Sequence, residues 1–482
     1  MKNIRHILLA CSIAATLAAC NSWLSDTPFD KVPGDELYAT EQGAQEALNG
    51  LYMAMLDRSI YGRELTFGLV EVLAQHYSIP EKHTYQLPAA YDLYHDNSKA
   101  FTVPVWSNLY SLISACNVFI EQAEQHKDRY DAAHYNLLRG EAIALRAYLH
   151  FDLFRLFAPA CTDANKAERA IPYYDKEVQA PVDYLTVEQV TPRLLADIDA
   201  AIALLAADPV LQGTTLSRGE GFWDYRNYRL NIYAAWALKA RVLLHAGNKP
   251  AANAIAAALL TGKTPEGAAA NFMTVFPSVL GLLPNYKEPV GCTEVIFGMH
   301  DVDRSNIQRD YFTTDLLPER ILLAGEPRYN VLFTYAEDIR KNTFADVTNH
   351  VSATGLKAIV KYQRGQLLAV DPYPYRYETL PLIKKAEIYL IAAETSNNDV
   401  DKASWLNLLR LERGYLQDNT DAYAGNLDQL LRDEYEREFY AEGQYIYYLK
   451  RNAVATIPTQ SGGNIAPTLT LPVPDAEDNN RQ

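Results

Sequence analysis

The sequence predicts a mainly α-helical fold in which tetratricopeptide-like helical pairs form a superhelical scaffold. Apolar residues recur about every 3.6 positions over most of the chain, beginning with Ala44, Leu48 and Leu51 after a capping Thr40. Several of these segments form pairs joined by short turns. Residues 261–380 differ because they combine Gly, Pro and aromatic residues with short strand-like runs, which indicates a loop-rich insertion.

The helical pattern predicts one folded domain over residues 40–482, with the scaffold at about 40–260 and 381–452 and the insertion between them. The segment 131–158 is apolar on more than one face, which is typical of a helix buried between other helices. After the first helix, further helices are predicted at 104–126, 131–158, 187–207, 230–246, 249–260, 382–396, 400–413 and 427–442.

Small residues indicate where neighbouring helices cross closely. Ala237 and Ala240 occupy such positions in one predicted pair, and Ala386 and Ala393 do so in another. The arrangement resembles a degenerate tetratricopeptide unit that lacks a clean period of about 34 residues. Generic helix packing accounts for the same small residues, so both explanations remain open at this point.

The N-terminus has the features of a bacterial lipoprotein signal. Lys2 and Arg5 precede an apolar stretch, which ends in Leu17-Ala-Ala-Cys20, a match to the lipobox. We predict a signal peptide at 1–19, lipidation of Cys20 and an extended lipidated tether at 20–39. The alternative is a conventional cleavage site beside an incidental cysteine. A stretch of this length is too short to span a bilayer, which needs about 20 apolar residues.

Charge and composition exclude several classes of partner. The 482-residue chain has 44 Lys and Arg against 59 Asp and Glu, a formal net charge of −15, and no run of four basic residues. Nucleic-acid binding needs clustered cations, so no nucleic-acid partner is predicted. Tyrosine is abundant, with 33 residues against 15 Phe and 5 Trp. Its apolar ring and polar tip suit helix interfaces and half-wet binding surfaces alike.

Motifs for catalysis, cofactors or metals are missing from the sequence, and none of the three is predicted. His76, His83 and His95 lack the spacing of helical metal ligands and are assigned to the surface. Glu434, Glu436, Glu438 and Glu442 suggest paired acids, but a solvated or salt-bridged helix face explains them better. Cys116, Cys161 and Cys292 are predicted to be buried free thiols, although an exported protein could form one disulfide.

Two loops are candidates for ligand binding, because loops held on a rigid scaffold concentrate binding residues. The first loop, residues 81–97, and the second group, in the insertion, both place tyrosines beside polar residues that can bind hydroxyl groups. The alternative for each tyrosine is that it packs inside its own loop. The candidate residues are Tyr85, Tyr91, Asp92, Tyr94 and Asn97 in the first group, and Asn285, Tyr286, Arg309, Tyr311 and Phe312 in the second.

Four segments carry a specific similarity. They begin at Ala144 (ALRAYLHFDLFRLFAP), Arg229 (RLNIYAAWALKARVLLHAG), Leu380 (LPLIKKAEIYLIAAE) and Glu434 (EYEREFYAEGQYIYYLKR). The lipobox start CNSWLSDTPFDKVP and the end IAPTLTLPVPDAEDNN belong to the same pattern. In this order, and over almost the whole chain, the segments resemble the SusD/RagB family of outer-membrane nutrient-binding lipoproteins.

The resemblance implies a role without chemistry. It suggests a lipid-anchored protein of the outer membrane, exposed at the cell surface, which captures an oligosaccharide and delivers it to a SusC-like TonB-dependent porter. A peptide-binding member of the same family is the nearest alternative; a lipid-anchored helical glycosidase and a purely structural repeat scaffold are weaker ones. The motifs that the family shares are scaffold residues, so the resemblance assigns no ligand residue here.

Overall fold

In the computed structural model, residues 34–479 are described except 179, 214–218, 220, 279–289, 348–354, 366–374 and 417–424. The longer helices of this part confirm a mainly α-helical fold. They are α1 (Glu41–Ala54), α2 (Asp96–Gln125), α3 (Ala132–Phe157), α4 (Val187–Leu204), α5 (Ile232–His245), α6 (Lys249–Leu260), α7 (Lys385–Glu394), α8 (Asp399–Leu411), α9 (Leu427–Phe439) and α10 (Tyr445–Arg451). The other described α-helices, none longer than α10, are Gly34–Leu37, Leu69–Leu73, Gln86–Ala89, Phe272–Val275, Arg304–Ile307, Glu326–Leu332 and Asp475–Asn479.

The longer helices stack in chain order. Each helix from α2 to α7 packs on the next one, α1 lies against α2 and α3, and α9 packs on both α7 and α8. This nearest-neighbour stacking is that of a helical repeat scaffold. The helices α6 and α7 are neighbours in space although residues 261–384 separate them in the chain. The scaffold is therefore continuous, and the intervening residues form an excursion from it.

Polar caps fix where these helices begin. The Asn231 side chain accepts a hydrogen bond from the Ala234 amide at 3.0 Å, and Asn398 accepts one from Asp401 at 2.8 Å. Such caps satisfy amides that the helix itself leaves unpaired.

The apolar helix α3 is buried on nearly all sides from Leu137 onward. The predicted bounds of the helices from α3 to α9 accordingly agree with the structure within a few residues.

The prediction for α2 was wrong at its start. The helix begins at Asp96, eight residues before the predicted position, and Pro104 lies inside it. His95 caps it, because its Nδ1 accepts a hydrogen bond from the Asn97 amide at 3.1 Å. The loop predicted at residues 81–97 therefore contains the short helix Gln86–Ala89 and ends in the first turn of α2. By length and composition α2 alone among the described helices could cross a membrane, but it lies along α3 and contributes to the core, as core helices of similar composition do.

The predicted tether is too long at its C-terminal end. Residues 34–37 form a helical turn, and Tyr38 is buried with its ring 5.8 Å from that of Phe119. The Tyr38 carbonyl also accepts a hydrogen bond from the Tyr130 hydroxyl at 2.6 Å. These contacts make residues 34–39 part of the folded domain. The signal peptide and Cys20 lie outside the described residues.

Short antiparallel strands occur mainly in the excursion, as predicted for the insertion. The strands are β1 (Arg169–Pro172), β2 (Tyr184–Thr186), β3 (Val295–His300), β4 (Leu323–Gly325), β5 (Phe344–Asp346), β6 (Leu356–Ile359), β7 (Thr379–Lys384), β8 (Ile457–Pro458) and β9 (Asn464–Ile465). They pair as β1 with β2, β3 with β7, β8 with β9, and in the order β4-β6-β5. In the pair of β3 and β7, His300 lies opposite Thr379. This pair closes the base of residues 301–378.

A buried ionic cluster joins the excursion to the scaffold at α9. Arg340 in the excursion donates from Nη1 to Glu434 Oε2 at 2.7 Å, and Arg437 donates to the other oxygen of the same carboxylate at 2.7 Å. Arg413 pairs with Glu438 at 2.9 Å. The acids were expected on a solvated or salt-bridged face. They are salt-bridged, but they are buried, because the excursion covers them.

The same cluster continues at Glu442. Lys384 Nζ lies 2.9 Å and Lys361 Nζ 2.5 Å from Glu442 Oε1, and all three side chains are almost fully buried. Charges are buried in proteins when they are paired in this way. The cluster thus fixes the position of the excursion on the scaffold by specific ion pairs.

Two of the three histidines assigned to the surface are buried. The His76 ring stacks between Tyr440 and Tyr445, with centroids 4.4 Å and 5.2 Å away, and its Nδ1 is hydrogen-bonded to Glu71 at 2.6 Å. Burial lowers the pKa of His83 to about 4, so this ring is neutral at pH 7. His95 is exposed.

Cys116, Cys161 and Cys292 are free thiols, the first and last of them buried.

Candidate ligand-binding site

The two predicted ligand loops meet at the segment 57–68, which follows α1. The hydroxyl of Tyr85 donates to Glu64 Oε2 at 2.9 Å, and Arg63 Nε donates to Glu64 Oε1 at 2.6 Å. Arg63 Nη1 in turn donates to the Tyr311 hydroxyl at 3.1 Å. One chain of hydrogen bonds therefore links the first loop to the insertion through Arg63 and Glu64, which the sequence analysis did not single out.

Tight turns give the segment 57–68 its shape. The Asp57 carboxylate accepts a hydrogen bond from the Ser59 amide at 2.8 Å, which closes the first turn. A Cβ atom at Gly62 would lie 2.0 Å from the Leu56 carbonyl oxygen, so only glycine fits there. Leu65 and Phe67 are buried and fix the end of the segment in the core.

Tyr311 is the central ring of the site. The guanidinium carbons of Arg58 and Arg63 each lie 5.8 Å from its ring centroid, and the ring of Phe67 packs behind it at 5.5 Å. Tyr311 itself is half-buried. Within the described part of the chain, Arg58 Nη1 is buried and has no hydrogen-bond partner. The "Tyr311 site" denotes Tyr311 with Arg58, Arg63 and Glu64.

Burial and nearby arginines set the electrostatics of the Tyr311 site. Burial raises the pKa of Glu64, and Arg63 together with the hydroxyl of Tyr85 opposes this shift. Burial also raises the pKa of Asp301, which is opposed in part by the nearby Arg58. The site offers an aromatic face flanked by cationic donors. Such a surface can stack on an apolar ring face and donate to its hydroxyl groups.

The predicted residues fall into separate environments. Tyr85 is 3% exposed and Phe312 is 1% exposed, so both rings belong to the core and cannot stack on a ligand in this conformation. Tyr85 points into the core, where Glu64 accepts a hydrogen bond from its hydroxyl. The ring of Phe312 packs on that of Phe67, with the two centroids 5.8 Å apart. Arg309 is exposed beside Tyr311 and pairs with Asp310 at 2.8 Å. Asn285 and Tyr286 lie outside the described residues.

The remaining predicted residues surround the start of α2. Tyr94 is 74% exposed, and Asp92 and Asn97 are exposed near it in the chain. Tyr91 is half-buried, because its hydroxyl donates to the Leu73 carbonyl at 2.6 Å. Tyr94, Asp92 and Asn97 can therefore reach a ligand, whereas the Tyr91 hydroxyl is already engaged.

The acids considered for glycoside hydrolysis are structural. A catalytic acid of this kind needs a raised pKa and access to the glycosidic oxygen. Burial alone would raise the pKa of Glu434, but Arg340, Arg437 and Arg410 outweigh it and hold the pKa at about 2. Among the described residues, no group of three His, Cys, Asp or Glu side chains could hold a metal ion.

The chain combines a helical repeat scaffold with an aromatic surface on its loops that is flanked by arginines. Residues 30–218 match a SusD-like family described as "Starch-binding associating with outer membrane", and residues 369–477 match the SusD family itself. Together the two matches cover more than half of the chain. The chain therefore belongs to the SusD/RagB family. A comparison with curated protein sequences found no match.

Solved structures confirm the fold. A SusD superfamily protein from Bacteroides thetaiotaomicron superposes with a TM-score of 0.70 at 20% identity, over 91% of this chain and 98% of its own. A SusD-like carbohydrate-binding protein from Bacteroides vulgatus gives 0.68 at 17% identity over 92% and 96%. Surface glycan-binding protein A from B. thetaiotaomicron, solved in complex with laminarihexaose, gives 0.64 at 15% identity over 92% and 98%.

Proposed function

We propose that this protein is a non-catalytic, lipid-anchored binding protein of the outer-membrane surface, which captures oligosaccharides and delivers them to a SusC-like TonB-dependent porter. The observation that carries the proposal is the half-buried ring of Tyr311, which has two guanidinium groups 5.8 Å from its centroid; within the described residues one of them has a buried donor without a hydrogen-bond partner. A pyranose ring has an apolar face that stacks on an aromatic ring, and hydroxyl groups around its edge that accept hydrogen bonds.

Family membership supports the ligand class. The family matched by residues 30–218 is described as starch-binding, and one structural neighbour was solved with laminarihexaose. The lipobox at Cys20 supports attachment to a membrane by acyl chains. Neighbouring cations lower the pKa values of Glu434, Glu436 and Glu438, so these three buried acids are suited to a structural role and not to proton donation.

Calorimetric titration tests the ligand class. The full chain in mild detergent is titrated with laminarihexaose, maltohexaose, cellohexaose and xylohexaose, and the products are analysed for cleavage. We expect binding of at least one hexasaccharide without cleavage. Tyr311→Ala should weaken that binding by about 1–3 kcal/mol, roughly ten- to a hundredfold, because a stacking ring and its hydroxyl are lost.

Tyr184→Ala is the matched control. Tyr184 is also half-buried beneath an arginine, with the Arg169 guanidinium 4.4 Å from its centroid, but it lies on β2. Its replacement should leave affinity unchanged. Equal losses in the two variants would contradict the assignment of the site, and cleavage of a bound hexasaccharide would contradict a non-catalytic role. Binding of peptides in place of every oligosaccharide would contradict the ligand class.

The partner is tested in native membranes. A TonB-dependent porter should co-purify with the tagged protein under mild detergent when both genes are expressed. Recovery of the lipoprotein alone under those conditions would contradict delivery to a porter.

A further inference from the structure

A second aromatic recess lies beside the Tyr311 site, in a region that the sequence analysis did not select. This "aromatic pocket" has a volume of about 440 Å³ and is formed by the end of α1, the residues before α5, the end of β3 and the residues before β7. Its rings come from Tyr52, Phe222, Tyr225, Tyr228, His300 and Tyr375. A volume of this order accommodates a small ligand, since ligand pockets measure about 300–1,000 Å³.

The rings of the aromatic pocket hold one another in place. Tyr375 meets Tyr225 edge-on with centroids 4.9 Å apart and meets His300 at 4.8 Å. The Tyr228 hydroxyl is hydrogen-bonded to Thr379 Oγ1 at 2.7 Å. The Tyr52 hydroxyl donates to Glu141 at 2.9 Å. A ligand would therefore meet a preformed surface and would not have to order these side chains.

Tyr225 adopts a backbone conformation that its side chain disfavours. Its φ of 51° and ψ of 48° lie in the left-handed region, which bulky residues rarely enter. Backbone strain of this kind is unfavourable and concentrates at binding and active sites. A glycine would adopt this conformation without strain. The presence of a tyrosine therefore indicates that its ring has a function in the pocket.

The lining contains the guanidinium of Arg229, the carboxylate of Asp224 and the imidazole of His300. Arg229 lies 3.4 Å from Glu141 and donates to Asn49 at 2.6 Å, and His300 is hydrogen-bonded to Glu378 at 2.6 Å. With Arg229 engaged and the Asp224 carboxylate in the lining, the pocket does not favour a phosphate or a carboxylate, while Arg229, Asn49 and His300 supply polar atoms around the rings. This combination fits a neutral, hydroxyl-rich ring. At the mouth, Met53 is 71% exposed and extends the apolar surface.

Two residues that line the aromatic pocket are close in the chain to residues at the Tyr311 site. Leu56 lines the pocket and stands two residues before Arg58. His300 lines it on the other side and directly precedes Asp301, which lies close enough to Arg58 to feel its charge. The pocket and Tyr311 are therefore connected by short stretches of chain, since Arg58 contacts the Tyr311 ring at 5.8 Å.

We propose that the aromatic pocket is a second subsite, which binds a neutral pyranose ring of the same oligosaccharide whose other residues contact Tyr311. This inference rests on the proposed function, because it assigns a further part of the same ligand. It predicts that affinity rises with the length of the oligosaccharide once the chain reaches both places, since the second contact is then intramolecular.

The test is a length series on the full chain in mild detergent. The hexasaccharide that binds best among laminari-, malto-, cello- and xylohexaose is compared with its own disaccharide by calorimetry. The variants are Tyr225→Gly, which removes a ring at a position where glycine is unstrained, and Tyr311→Ala. Tyr225→Gly should weaken hexasaccharide binding about tenfold or more and change disaccharide affinity less than about twofold. Tyr311→Ala should weaken both.

The outcomes separate the two proposals. Binding of no oligosaccharide by the unaltered chain overturns the proposed function and the subsite with it. Hexasaccharide binding that Tyr311→Ala weakens and Tyr225→Gly leaves unchanged overturns the subsite alone. Equal losses of disaccharide and hexasaccharide affinity in Tyr225→Gly also overturn it, because the whole site would then lie in the pocket. The melting temperature of Tyr225→Gly, expected to equal or exceed that of the unaltered chain, shows that the fold is retained.

Discussion

Glu434→Gln removes one negative charge from the buried ionic cluster with almost no change in volume. In the folded protein, Arg340 and Arg437 each donate to this carboxylate at 2.7 Å, and Arg410 lies 3.5 Å away. Burial would raise the pKa of Glu434, but these arginines outweigh it and hold the pKa at about 2, against an ordinary value of 4.5. The gap between the two values corresponds to about 3 kcal/mol of stability at pH 7.

A second line of reasoning gives a similar magnitude. Removing one partner of a buried ion pair costs about 3–5 kcal/mol, because the other partner stays buried without compensation. Arg340 keeps Asp338 at 2.7 Å in the variant, so the loss should lie at the lower end of that range. We therefore expect the free energy of unfolding of Glu434→Gln to fall by about 3 kcal/mol at pH 7.

The pH dependence distinguishes a charge effect from a packing effect. Because the folded-state pKa of Glu434 is depressed, its contribution is fully present above about pH 4.5 and is lost as the pH falls towards 2. The difference between the unaltered chain and Glu434→Gln should therefore shrink from about 3 kcal/mol at pH 7 to about 2 kcal/mol at pH 3.5. A packing defect would give the same difference at both values.

Equilibrium urea unfolding, followed by tryptophan fluorescence at the two pH values, measures these differences. Asp428→Asn is the matched control, since it makes the same chemical change on the same helix. Asp428 pairs with Lys402 at 2.6 Å, but its side chain is exposed, so its replacement should have no measurable effect. The reasoning is refuted if the two variants lose equal stability or if the loss in Glu434→Gln does not depend on pH.

Two further predictions concern the anchor and the backbone. Cys20→Ala should move the protein from the membrane fraction to the soluble periplasmic fraction, because the variant lacks the residue that would carry the acyl chains of the anchor. A variant that still pellets with membranes would contradict the lipobox prediction. Gly443→Ala should lower the free energy of unfolding by about 2 kcal/mol or more, because φ is +76° and a Cβ would lie 2.5 Å from the Leu65 carbonyl oxygen. Gly50→Ala, where a Cβ meets no atom within 4 Å, is its control in the same urea titration, and equal losses would contradict the steric argument.

The scaffold could be predicted from the sequence because its signals are local. The predicted helices at 230–246 and 249–260 match α5 and α6, since apolar spacing and an asparagine before each helix both lie within a short stretch of chain. The start of α2 was missed for a local reason as well, because Pro104 is typical of a first helical turn and here lies inside the helix.

The candidate site could be predicted only in part, because its geometry depends on contacts between distant residues. Tyr85 and Tyr94 both lie in the first loop and have similar polar neighbours in the sequence. Tyr85 is nevertheless buried, with its hydroxyl hydrogen-bonded to Glu64, whereas Tyr94 is exposed. Arg63 meets Tyr311 across 248 positions of the chain. The excursion likewise buries Glu434, which looked like a surface residue on its own helix. No local pattern contains such information.

Because β3 pairs with β7, residues 301–378 form a part of the excursion that could be replaced as a unit. Residues 301–378 leave and re-enter the scaffold through two adjacent strands, at His300 and Thr379, so a short turn or a different loop could connect them while α6 and α7 remain stacked. Any replacement would also have to supply cations, because Arg340 and Lys361 neutralise buried acids of the scaffold. Arg328 likewise pairs with Glu436 of α9, so exchange of this segment is restricted to replacements that supply these three cations.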